Sequence, residues 1–228
     1  MKNHWKILYK LNSIHIGNII RVVCLTTLIG TLSITNVNAA DNHDSLDDMD
    51  FIEMINSVET GKQSDLIQQF QQLEAKNRLL NGKYSPKGEC IVESYRNKEV
   101  LLITIPAHLL FAPNSTDLKH GADDYLSPIK RYLKDPDMYR VLLVMHTDNT
   151  GSEQYREQIT TDRVNAVAEW FDESGVNTDY LFSYAMSDDI PLVSNNSMDN
   201  RDKNRRLEIY LMPGTKMVEQ AKKGRISF

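Results

Sequence analysis

The sequence predicts an α+β fold, one mixed sheet with helices laid on one face and a short helical segment before it. Three observations carry this. Beyond residue 89, short runs with strand character alternate with runs of helical spacing. Residues 141–145 are wholly apolar and bounded by polar turns, the mark of a buried strand. Residues 154–171 form a long run with Ile159, Val164, Val167, Ala168 and Phe171 on one side. The order strand, helix, strand, helix, strand, strand leaves few ways to connect one sheet.

The chain has 228 residues, of which 26 are Lys or Arg and 31 are Asp or Glu, giving a formal charge of −5. Residues 1–40 hold Lys2, Lys6, Lys10 and Arg21 and no acid. An apolar stretch at 22–34 follows, then small residues at Ala39 and Ala40, the layout of a secretory signal peptide. An uncleaved anchor is the competing reading, but a spanning helix needs about 20 apolar residues. Without residues 1–40 the chain keeps 22 basic residues against 31 acidic, a net −9. Such a surface repels phosphate backbones, so no nucleic-acid partner is expected.

Residues 41–88 read as a helical appendage and linker. Asp47, Asp48 and Asp50 suit the start of a first helix, whose apolar side is Phe51, Ile52, Ile55 and Val58. A second helix spans about 64–80, stopped by Asn81-Gly82. Its residues Leu66, Phe70, Leu73 and Leu80, with Asn77 in register, make either a face packed on its own domain or the seam of a homodimer through 64–80. Lys83 to Gly88, with Pro86, is the linker.

The domain proper is expected over 89–213. Ile91, Glu93 and Tyr95 begin a strand, Arg96-Asn97-Lys98 turns, and 100–105 is a second strand. Ala122, Tyr125, Ile129 and Leu133 have helical spacing, and 181–185 and 207–211 are further strands. Residues 214–228 are a basic tail, with helical character over 217–222. Cys90 is either a buried small hydrophobe or an intermolecular pairing site.

No catalytic pattern is visible: no phosphate-cradling glycine loop, no paired-histidine helix, no nucleophile elbow. The chain is therefore expected to be no enzyme and to need no metal or cofactor. His146 beside Asp148 lacks further ligands at metal spacing. What stands out is polar chemistry at strand ends. The loop His146-Thr147-Asp148-Asn149-Thr150-Gly151-Ser152 follows the buried strand and leads into a helix start, where free N–H groups favour anions. Arg163 lies on that helix, and Asn204-Arg205-Arg206 opens the last strand.

Together with Leu110-Phe111-Ala112-Pro113-Asn114-Ser115, Thr160-Thr161-Asp162-Arg163 and Asn204-Arg205-Arg206-Leu207-Glu208, these motifs resemble the OmpA-like (OmpA C-terminal domain) peptidoglycan-binding family over about residues 105–211. The resemblance implies a β-α-β-α-β-β sandwich. It implies a non-catalytic periplasmic module that anchors the outer membrane or an envelope complex to the cell wall by holding the diaminopimelate of the stem peptide. In the family pattern Asp148 takes the ligand's ammonium and Arg163 its carboxylate. Thr147, Asn149 and Gly151 add donors from the loop, and Arg205 stands near the same pocket. Guanidinium and carboxylate meet in a bidentate fork that Lys does not reproduce.

Departures from the pattern are specific. Met145 stands in place of Gly, Arg156 in place of Asn, Ala185 and Ser187 in place of Gly-x-Gly, and Asn200 and Asp202 flank Arg201 where Gly and Ala are usual. Arg156 either adds a second carboxylate contact or pairs with Asp148 and blunts it. The altered loop leaves open an alternative, a periplasmic scaffold that binds outer-membrane or periplasmic proteins and not the wall.

Overall fold

The computed structural model describes residues 46–80, 84 and 89–228. The signal-peptide reading of 1–40, and the linker apart from Tyr84, lie outside the described residues.

Five strands form one mixed sheet in the order β1-β2-β5-β3-β4: β1 Ile91–Tyr95, β2 Val100–Pro106, β3 Tyr139–His146, β4 Leu181–Ala185 and β5 Arg206–Pro213. β1 and β2 are an antiparallel hairpin whose turn places Arg96, Asn97 and Lys98 all at positive φ. β5 runs antiparallel between β2 and β3, and β3 pairs with β4 in parallel. Among the described residues the α-helices are α1 Phe51–Asn56, α2 Ser64–Glu74, α3 Ala107–Leu110, α4 Asp123–Leu126, α5 Glu153–Glu173, α6 Met198–Asn204 and α7 Thr215–Lys222. α4 continues as a 3₁₀ stretch over Ser127–Leu133, because Pro128 has no N–H for the α-helical ladder.

Every residue of β3 and β5 is buried, so both faces of the sheet are covered. On one face Leu101, Ile103, Ile105, Val141, Leu143, Met145, Leu207, Ile209 and Leu211 pack with Val164, Val167, Ala168 and Phe171 of α5. Ile67 of α2 and Met217 and Ala221 of α7 join the same core. On the other face Val100, Leu142, Val144, Phe182, Tyr184, Tyr210 and Met212 lie under Leu46, Phe51, Met54, Ile55 and Val58. The expected face of helices is present, and α1 adds a cover on the opposite side.

The segment 46–60 is thus a strap. Asp50 and Glu53 start α1 with a reciprocal capping box. Arg96 ties the far end down, donating to the carbonyls of Ile55 (2.6 Å) and Val58 and to Glu99. Thr60 donates to Glu99, and Arg140 donates to Ser57 Oγ at 3.0 Å. The clamp explains why three successive side chains tolerate a left-handed turn.

α2 packs on its own domain, the first of the two readings of 64–80. Its buried side chains are Ile67 and Gln71, and Gln71 donates to the carbonyls of Glu99 (2.9 Å) and Leu211 (3.1 Å) while accepting from the Tyr139 hydroxyl (3.2 Å). Leu66 and Phe70 lean on the same core, whereas Leu73 and Asn77 face solvent. The residues of the expected seam are thus divided between core and solvent. Cys90 is buried, at 3 % exposure, within the same apolar core. The tail is also structured: the Phe228 ring stands against Tyr132 and Tyr139 at 6.0 and 5.2 Å.

Candidate functional site

The register of the two central strands assembles the site. His146, last in β3, lies opposite Arg206, first in β5, so the residues just beyond each strand meet. They are Thr147-Asp148 and Arg205. Asp148 is buried at 1 % exposure. Its Oδ1 accepts the Thr150 N–H (2.7 Å) and the Thr150 hydroxyl, and its Oδ2 pairs with Arg205. Burial opposes its charge, but the Thr150 bonds and Arg205 outweigh burial and hold the carboxyl below its ordinary value. Arg205 bridges Asp148 and Asp202, and those bonds raise its pKa against the cost of burial.

The loop after β3 is braced on both sides. The Thr147 N–H donates to the Ser187 carbonyl at 2.8 Å. Ser187 adopts φ +46°, which accounts for the glycine preferred at that place in the family pattern. Gly151 has φ +86°, and a Cβ there would stand 2.8 Å from Tyr155 Cδ1, so the ring lies against the turn. Asn149 and Thr150 form its exposed tip. Ser152 caps α5, accepting from the Tyr155 N–H.

Arg156 does not pair with Asp148, one of the two readings given to it. It donates to the Gly151 carbonyl (2.7 Å) and to Asp188 (2.7 Å), and Asp148 is paired with Arg205 instead. Arg156 therefore fastens the 146–152 loop to the loop after β4.

Arg163 sits apart from these pairs. It is 5 % exposed, donates to the carbonyls of Ser115 (2.9 Å) and Ala112 (3.3 Å), and stacks over the Phe111 ring at 4.9 Å. Among the described residues no carboxylate forms an ion pair with it. Burial lowers its pKa, as does nearby Arg205, with Tyr155 acting in the opposite sense. The Tyr155 hydroxyl donates to Asn114 at 3.0 Å, closing the wall beside it. The arrangement is chemically asymmetric: a buried cation without a counter-charge, and a buried anion whose partner is a half-exposed arginine.

Sequence reasoning missed Tyr155, Asp188 and Asp202. Asp188 lies on a loop whose approach to Arg156 depends on tertiary structure, whereas Asp202 stands on α6 three residues before Arg205, a local spacing that the sequence did offer. Tyr155 carried a weak signal, standing four residues past a turn glycine at the start of a helix. His146, weighed as a metal ligand, faces Glu208 at 3.3 Å. Among the described residues no three His, Cys, Asp or Glu side chains are grouped to hold a metal ion.

Comparison with known proteins places this geometry. Residues 110–205 match the model of the OmpA family. The outer-membrane lipoprotein YfiB of Pseudomonas aeruginosa is 31% identical over 103 residues, 45% of this chain and 61% of that protein. The probable lipoprotein YiaD of Escherichia coli is 25% identical over 118 residues, 52% of this chain and 54% of its own length. The peptidoglycan-binding protein ArfA of Mycobacterium tuberculosis is 36% identical over 72 residues, 32% of this chain and 22% of ArfA. The chain thus spans little more than half of the first two relatives. A MotB-like protein from Desulfovibrio vulgaris superposes with a TM-score of 0.57 at 23% identity, covering 66% of this chain and 98% of that one. The periplasmic domain of Helicobacter pylori MotB gives 0.50 at 20% identity, covering 61% and 91%. Motif and family model agree over this stretch: residues 110–205, which hold the strand-end loop, Arg163 and Arg205, are the part of the chain that matches the OmpA family model.

Proposed function

We propose that this chain is a non-catalytic periplasmic module that binds peptidoglycan and ties the outer membrane or an envelope complex to the wall. Its pocket takes the free, zwitterionic end of diaminopimelate in the stem peptide. The observation that carries the reading is Arg163, a buried guanidinium held by carbonyls and an aromatic face and met by no carboxylate among the described residues. A buried cation without a counter-ion is costly, and a ligand carboxylate supplies one through charge-assisted hydrogen bonds. Asp148 receives the ammonium when Arg205 swings back to Asp202, its second partner. Thr147, Asn149 and Gly151 line the loop, and Arg156 braces it. The relatives YfiB and ArfA, by their names an outer-membrane lipoprotein and a peptidoglycan-binding protein, support the same location and ligand.

The test is co-sedimentation of the full chain with insoluble peptidoglycan, with Arg163→Ala and Asp148→Ala alongside. Retention that both substitutions reduce supports the pocket. One observation favours the second reading, a scaffold for envelope proteins: both Asp148 oxygens are already engaged by Thr150 and Arg205. Under that reading none of the three proteins sediments with the wall.

A further inference from the structure

We infer that Glu208 is a positioning residue for the pocket: from β5 it holds His146 and Arg206, and through them it fixes Asp148 and Arg205. The inference rests on the wall-binding reading above and adds a residue that touches no ligand. Glu208 is 5 % exposed on the sheet face that the strap covers. Its Oε1 accepts from Arg206 Nε at 2.7 Å. Its Oε2 accepts from the Tyr210 hydroxyl at 2.6 Å and faces His146 Nε2 at 3.3 Å. One carboxylate thus joins the last residue of β3 to the first of β5. The next residues along each strand are Thr147-Asp148 and Arg205, the loop and cation of the pocket.

Two further observations give the cluster a positioning role. The His146 Nδ1 is buried with no hydrogen-bond partner, so the ring is oriented through Nε2 and Glu208. Arg206 also donates to the carbonyls of Asn204 (3.2 Å) and Ile190 (3.1 Å), so it holds the loop that carries Asp188 and Asp202's helix. The strap keeps the cluster dry. Phe51 stands 5.4 Å from the Tyr210 ring and 5.7 Å from the Tyr184 ring. Apolar residues in these places would give a stable core at less desolvation cost. What a satisfied buried network adds is a fixed geometry at the strand ends.

The experiment uses the full chain with Glu208→Gln and Tyr210→Phe. Affinity for a soluble diaminopimelate-containing muropeptide is read by calorimetry, pocket geometry by amide resonances, and stability by urea unfolding. Glu208→Gln is expected to weaken binding about tenfold, the loss of one well-formed hydrogen bond in the pocket. It should also displace the Thr147–Gly151 and Arg205 amide resonances while those in the middle of α5 stay. Tyr210→Phe should act in the same direction by about threefold, and it carries the test if the Gln variant fails to fold. A variant less stable than wild type but unchanged in affinity and in pocket resonances would overturn the inference. If the unaltered chain does not bind the muropeptide, the wall-binding reading fails. The resonances then decide by themselves whether Glu208 sets the loop.

Discussion

The strap over residues 46–60 permits a quantitative test of where the folded unit begins. Phe51 is 8 % exposed and sits edge-on to Tyr184 and tilted on Tyr210. Removing a buried Phe side chain forfeits about 1.5–3 kcal/mol of transfer free energy, and each aromatic contact adds about 0.5–1.5 kcal/mol. A fully rigid core would lose about 3–5 kcal/mol on Phe→Ala. A six-residue helix can settle into part of the space, so the expected loss for Phe51→Ala is about 3 kcal/mol. With a urea slope of about 2 kcal/mol per molar, the midpoint falls by about 1.5 M. The assay is urea unfolding followed by both far-UV and near-UV circular dichroism, whose coincidence tests for a single transition. A shift below about 0.5 M with an unchanged slope would refute the reasoning. The strap would then be a loosely docked appendage, and the unit would begin nearer residue 89. Under the structural account a chain starting at residue 61 exposes Val100, Leu142, Val144, Phe182, Tyr184, Tyr210 and Met212 together, and it should aggregate or unfold.

Three other outcomes follow from particular contacts. Acid should destabilise in two stages: His146 is held below its ordinary 6.5 chiefly by burial, and Glu208, despite burial, is brought from 4.5 to about 2 by His146, Arg206 and Tyr210. Both depressed groups stabilise above their unfolded values and lose that contribution as pH falls, first below 6.5 and then between 4.5 and about 2, which thermal melts across pH will resolve. Gln71→Leu keeps the volume but strips partners from the Glu99 and Leu211 carbonyls and the Tyr139 hydroxyl, and urea unfolding should show a loss of about 3 kcal/mol. Gly151→Ala forces an L-residue to φ +86° and pushes the Tyr155 ring aside, so a thermal melt should show about 1–2 kcal/mol lost and wall retention should fall with it.

The strands were legible because their period is visible in short apolar runs, and each observed strand lies within two residues or so of the run that announced it. The apolar stretch at 141–145 held more information than the one-sided sheet used. A strand buried on both faces needs a cover on each, and α1 supplies the second. Two details of the helices were hidden. Ile52, counted on the apolar side of α1, is 56 % exposed, while Met54 is fully buried. A helix of six residues is too short for periodicity to choose its face. In α2 one of the two buried positions belongs to Gln71, a polar residue with partners 28 and 140 residues away, and no local pattern reports such contacts. The site divides in the same manner. Asp148, Arg163 and Arg205 stand out by type and place, whereas the pairing of Arg156 with Asp188 spans 32 residues and depends on how two loops approach.

The pairing of charges bears on how such a pocket would engage a ligand. Arg156 is matched by Asp188, and Arg205 is shared between Asp148 and Asp202. Arg163 is left as the cation with no acidic partner among the described residues. An arriving carboxylate therefore displaces no protein charge, while an arriving ammonium must compete with Arg205 for Asp148. Because Arg205 keeps Asp202, that exchange strands no guanidinium, and its cost is smaller than breaking an isolated buried pair. Under the proposed function the two ends of a zwitterion would thus meet unequal resistance, the carboxylate end at Arg163 the smaller. Under the proposed function one stem peptide would gain two or three charge-assisted hydrogen bonds, about 1.5–3 kcal/mol each before ordering costs. Single-site binding would then be weak and salt-sensitive, and retention on a polymeric wall would depend on the density of stem peptides within reach of the chain.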